Sequence, residues 1–107
     1  MDAASVTQLV NALLDLDHDD EMSAMRGLGV RCLTAPLLPP GLSLTLNLLH
    51  KVDIIISIAK QVLTKETIDD PIVNAELNAA GYTLVKGDDK KVTITTHHSC
   101  ICFKRIN

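Results

Sequence analysis

The chain has 107 residues and a formal net charge of −3; 47% of it is apolar, yet Tyr82 and Phe103 are its only aromatic residues. A core must be built from sixteen leucines, nine isoleucines and eight valines. The length suits one domain spanning residues 1–107, the apolar fraction excludes a disordered chain, and the mildly acidic balance speaks against a strongly basic nucleic-acid binder.

The start, Met1-Asp2-Ala3-Ala4-Ser5, carries an acid and no basic stretch ahead of an apolar run, so no secretory leader is expected. Val6, Leu9, Val10, Leu13 and Leu14 recur at helical spacing and predict a helix over 3–16, capped by Asp2 or Ser5. The acidic run Asp15 to Glu21 should end that helix and open a short second one, where carboxylates favour the positive end of the helix dipole. Gly27 and Gly29 are placed to stop it.

Val30 to Thr34 is short and β-prone, and Pro36 to Gly41 is rich in turn residues. Cys32 to Leu49 holds no charge over eighteen residues, which touches the length of a membrane span, but Pro36, Pro39 and Pro40 interrupt it. His50, Lys51, Asp53 and Lys60 then recur through the next apolar run, so no span is expected.

Leu42, Leu44, Leu46 and Leu48 alternate at strand period, whereas Leu48, Val52, Ile55, Ile56, Ala59, Val62 and Leu63 form a helical stripe. The longer pattern prevails and predicts a central helix over 43–65, with Ser43 as its cap.

Asp69-Asp70-Pro71 is a start signal and Gly81 a stop signal for a helix over 71–80. Residues 82–85 and 92–96 flank a Lys86–Lys91 turn and read as a hairpin, and Cys100 to Ile106 reads as a third strand. Helices first and an antiparallel sheet last give an α+β domain with one long central helix packed on a small C-terminal sheet. The helix followed by a hairpin over residues 69–96 resembles the winged-helix arrangement in element order. That resemblance implies nucleic-acid binding or regulation through Asn74 and Asn78 on the helix and Lys86, Lys90, Lys91, Lys104 and Arg105 beside it. Against it, the helix carries Asp69, Asp70 and Glu76 and no arginine to read guanine. Lysines on a hairpin edge also serve to keep that edge from pairing.

Three constellations invite chemistry. Asp15, Asp17 and Asp19 open like a calcium loop, but its sixth and twelfth positions hold Asp20 and Arg26 where glycine and glutamate belong, so an acidic helix cap is the stronger reading. His98, Cys100 and Cys102 are zinc-type ligands in a row along one strand, too spread out to converge, and a fourth ligand would have to come from afar. A Cys100 or Cys102 nucleophile with His97 or His98 as base lacks an oxyanion-stabilising loop. No catalytic residue, metal or cofactor is therefore expected. The odd cysteine count, Cys32, Cys100 and Cys102, predicts free thiols in a reducing cytoplasm.

What remains is surface. Ile54 and Ile58 widen the central stripe beyond a single face, which calls for contacts on two sides or a second subunit. The sequence thus predicts a non-enzymatic interaction or assembly module, a homo-oligomer and most simply a homodimer, joined through Leu48, Val52, Ile54, Ile55 and Ile58, with another protein partner as the alternative.

Overall fold

The computed structural model describes residues 3–34, 38–87, 91–96 and 100–104. Among the described residues four helices precede a three-stranded antiparallel sheet, the α+β order expected: α1 (Ala3–Asp17), α2 (Asp20–Gly27), α3 (Leu46–Val62), α4 (Pro71–Ala79), β1 (Thr83–Lys86), β2 (Lys91–Thr95) and β3 (Cys100–Lys104). Asp2, the turn residues Asp88 to Lys90, His97 to Ser99 and Arg105 to Asn107 lie outside the described residues. Ser5, the other candidate cap of α1, falls inside the helix.

α1 buries Val6, Leu9, Leu13 and Leu16 against α3, which answers with Leu48, Val52, Ile55, Ala59 and Val62. α3 is shorter than the sequence suggested. Its cap is Thr45, whose Oγ1 accepts from Leu48 N at 3.3 Å, in place of Ser43. At the other end Thr67 Oγ1 donates to Val62 O at 2.5 Å and its oxygen accepts from Thr64 N, taking over groups that a longer helix would have paired internally. Residues 42–45 lead into the helix without regular secondary structure, with Leu42 and Leu44 leaning on the core between exposed Ser43 and Thr45. The leucine alternation is therefore an in–out burial pattern over these four residues, which belong to no strand, before the helical stripe takes over.

α2 and α4 end alike. Leu28 and Ala80 close them, and Gly29 (φ 75°) and Gly81 (φ 94°) follow in the left-handed region. Gly29 N donates to Arg26 O and Val30 N to Met25 O; Gly81 N donates to Asn78 O and Tyr82 N to Leu77 O. Each is the paired hydrogen-bond pattern of a glycine-terminated helix, and each brings a buried residue, Val30 or Tyr82, toward a buried residue of the last turn. This is how α4 turns directly into β1.

In the sheet, Leu84 pairs with Ile94, Ile94 with Ile101 and Val92 with Phe103. These residues face the core, where Val92, Ile94 and Ile101 are wholly buried. By alternation, Thr83, Val85, Thr93, Thr95, Cys100 and Cys102 occupy the opposite face. Beyond β3, Cys32 forms a single parallel bridge to Cys100, fastened by Leu33 N to Cys100 O at 3.1 Å and by Cys100 N to Arg31 O. The strand expected over 30–34 is reduced to this one bridge.

Candidate functional site

The acidic run is built around a lysine. Asp19 caps α2 by accepting from Glu21 N at 2.8 Å and Met22 N at 3.4 Å. From α3, Lys51 Nζ reaches Asp19 Oδ2 at 2.5 Å and Asp15 Oδ2 at 3.4 Å, Asn47 Nδ2 donates to Asp19 Oδ2 at 3.3 Å, and the Thr45 hydroxyl donates to Glu21. Lys51 holds the Asp19 carboxyl below its ordinary range, and the same hydrogen bond raises the ammonium above its own. Asp17 takes another path, accepting from the Tyr82 hydroxyl at 2.7 Å inside the core. Arg26 Nη2 closes the end of α1 by donating to Asp17 O at 2.7 Å. The carboxylates of a calcium loop would converge on one point; here they diverge, and a tethered ammonium lies between two of them.

The cysteines differ from the expectation of free thiols. Cys32 and Cys100 form a disulfide with a Cα–Cα distance of 4.6 Å, and Cys102 alone is free. The parallel bridge brings the two chains close enough for the bond, which sequence separation could not reveal. The disulfide also removes Cys100 from the row of candidate zinc ligands; His98 and His97 lie outside the described residues, and among the described residues no group of three His, Cys, Asp or Glu side chains is placed to hold a metal ion. Cys102 is half-buried and accepts a hydrogen bond from Thr93 Oγ1 at 3.5 Å.

Among the described residues of the nucleic-acid alternative, Asn74 and Lys86 are already engaged within the chain. Asn74 spends its amide on Ile68 O at 3.1 Å and Asp70 O at 3.0 Å, inside the start of its own helix. Asn78 and Lys91 are exposed, and Lys86 is ion-paired with Asp69. Lys104 lies opposite Lys91 in the β2–β3 register, while Lys90 and Arg105 lie outside the described residues.

The expected apolar contact surface is narrower than the sequence indicated. Leu48, Val52 and Ile55 are at most 1% exposed, because α1 covers them, and they belong to the chain's own core. Ile58 is half-buried against that core, and only Ile54 of the five stands out, at 42% exposure. Leu46 and Leu49, not among those five, are exposed on the same helix. Neighbouring exposed positions are His50, Asp53, Ser57, Lys60 and Gln61. Among the described residues no helix is long and apolar enough to cross a membrane.

No protein-family model, curated protein or solved structure matches the chain.

Proposed function

We propose that this chain is a non-enzymatic assembly module that pairs with a second copy of itself across the outward side of α3. Ile54 carries the reading: a β-branched apolar residue, 42% exposed, on a helix whose other side is filled by the core. Leu46 and Leu49, exposed too, lie at the start of the helix, apart from Ile54. The charges on this side are self-complementary. Two copies of α3 laid antiparallel about Ser57 bring Asp53 of one toward Lys60 of the other, twice, as a two-fold interface requires.

Size sets the strength. Seventeen residues make a helix about 25 Å long, and one side of it offers well under the roughly 800 Å² per partner of a stable complex. The pairing is therefore reversible, with a dissociation constant in the micromolar range or weaker. The Cys32–Cys100 bond favours an oxidising setting over the reducing cytoplasm that an odd cysteine count suggested.

Light scattering behind a sizing column, run from low micromolar to roughly millimolar protein, tests the pairing. The mass should climb from 11.6 kDa toward twice that value and stay at 11.6 kDa in Ile54→Asp. A wild-type mass that never leaves the monomer value overturns the proposal.

A further inference from the structure

We propose that Cys32 and Cys100 form a reversible dithiol–disulfide couple, which opens and re-closes on the folded chain in answer to the thiol balance around it. Backbone and core hold the two residues opposite each other independently of the sulfur bond. Leu33 N donates to Cys100 O at 3.1 Å and Cys100 N donates to Arg31 O, so hydrogen bonds flank Cys32 on both sides. Val30 and Leu33, both buried, anchor that segment in the core, and Val30 N donates to Met25 O in α2. On β3, buried Ile101 and Phe103 pair with Ile94 and Val92 of β2 and fix Cys100 from the other side. With these contacts kept after reduction, the two thiols stay near the 4.6 Å Cα separation from which the bond closes. Both cysteines are half-buried, which leaves the bond open to a thiol from solvent. Cys102 stands apart from the couple. It lies two residues along β3 from Cys100, about 6.7 Å away, too far for a disulfide to close. Its sulfur accepts from Thr93 of β2 at 3.5 Å.

Two thiols of the glutathione class supply the two electrons. The first, as thiolate, attacks Sγ of Cys32 or Cys100 and forms a mixed disulfide as the cystine bond breaks. The electron pair leaves on the other cysteine, which takes a proton from solvent. A second thiolate attacks the glutathione sulfur of the mixed disulfide, giving oxidised glutathione and the remaining cysteine thiolate, which is protonated in turn. Closing runs the same steps in reverse. Linkage sets the size of the effect. A bond that steadies the fold by closing a loop of sequence separation 68 is itself favoured by the fold to the same degree, about a thousandfold over the unfolded chain.

Titration of the full chain with glutathione buffers tests this. Samples at low micromolar protein are equilibrated across a range of reduced-to-oxidised glutathione, quenched with acid and labelled with N-ethylmaleimide. Peptide mapping without reduction then gives the closed fraction and the pairing, in native buffer and again in concentrated urea. The native midpoint should need about a thousandfold higher ratio of squared reduced to oxidised glutathione than the midpoint in urea. The fully reduced chain should keep a dispersed amide NMR spectrum at 25 °C, and on re-oxidation in native buffer it should return to Cys32–Cys100 alone. Midpoints within tenfold of each other, a collapsed amide spectrum on reduction, or native re-oxidation to pairs that include Cys102 would each overturn the proposal. In Cys102→Ser the native midpoint should stay where it is; a tenfold shift there would give Cys102 a part in the exchange and overturn the two-cysteine couple.

Discussion

The hydroxyl of Tyr82 donates to Asp17 Oδ2 at 2.7 Å across 65 residues of sequence, joining the end of α1 to the residue that leads into β1. Tyr82 is fully buried and Asp17 is 8% exposed, so this bond lies where an unmade partner is costly. Asp17 Oδ1 has no hydrogen-bond partner among the described residues, which leaves the carboxylate dependent on its other oxygen. Tyr82→Phe should therefore cost about 1–3 kcal/mol in a urea titration. Adding Asp17→Leu to it should cost less than the two single changes summed, since the orphaned carboxylate goes too.

The same tyrosine sets the alkaline limit. Burial, and after it the bond to Asp17, raises the phenol above its ordinary value. A group raised in the folded chain contributes stability below its unfolded pKa and loses it as the pH climbs. Wild-type stability should thus fall from about pH 10 upward, and Tyr82→Phe should lack that phenol-linked decline. A stability curve of the same shape for both chains would contradict the assignment.

On the acid side the relevant group is Asp19. Its carboxyl is lowered by Lys51 and by the α2 amides it caps, so its contribution is present above the unfolded pKa and disappears as the pH falls below about 4. Asp19→Ala should cost about 0.5–2 kcal/mol near neutral pH through the lost cap, and should flatten the acid limb of the stability curve. Lys51→Met keeps the cap while removing the ammonium, so it should shift the acid limb with a smaller loss at neutral pH.

Reducing the Cys32–Cys100 bond releases a loop with a sequence separation of 68. The chain-entropy argument puts the loss at about 4 kcal/mol, a large share of the roughly 5–15 kcal/mol that holds a domain of this size folded. Thermal melts with and without reductant should differ by tens of degrees or by complete loss of the transition, and Cys32→Ser should match the reduced wild type. Equal melting temperatures would show that the bond constrains nothing.

Local chemistry was readable in the sequence where a few adjacent residues decide the outcome. Asp70 and Pro71 opened α4, and Gly29 and Gly81 followed the ends of two helices, because caps and left-handed turns depend on residues within one turn of each other. The long-range pairs were hidden for the converse reason. Nothing near Cys32 says that the chain will return to it at Cys100, and the acid-rich setting of Asp17 masks the fact that its position on α1 points it inward to Tyr82. The apolar stripe of α3 was legible as a stripe, but which half of it the chain itself would cover depended on where α1 packs.

Ile54 and Ile55 put that distinction to the test, being adjacent in sequence and on different sides of α3. Ile55 is 1% exposed and Ile54 42%. Ile55→Ala should remove about 2–5 kcal/mol, through lost burial and the cavity left behind. Ile54→Asp should change stability by only about 0.5 kcal/mol, as exposed substitutions do, while abolishing the rise of mass with concentration. The pair separates folding from association, because a denaturant midpoint reads the first and light scattering the second. If Ile54→Asp unfolds the chain, the residue belongs to the core; if it folds and still dimerises, the second copy docks elsewhere, and the outward side of α3 loses its claim.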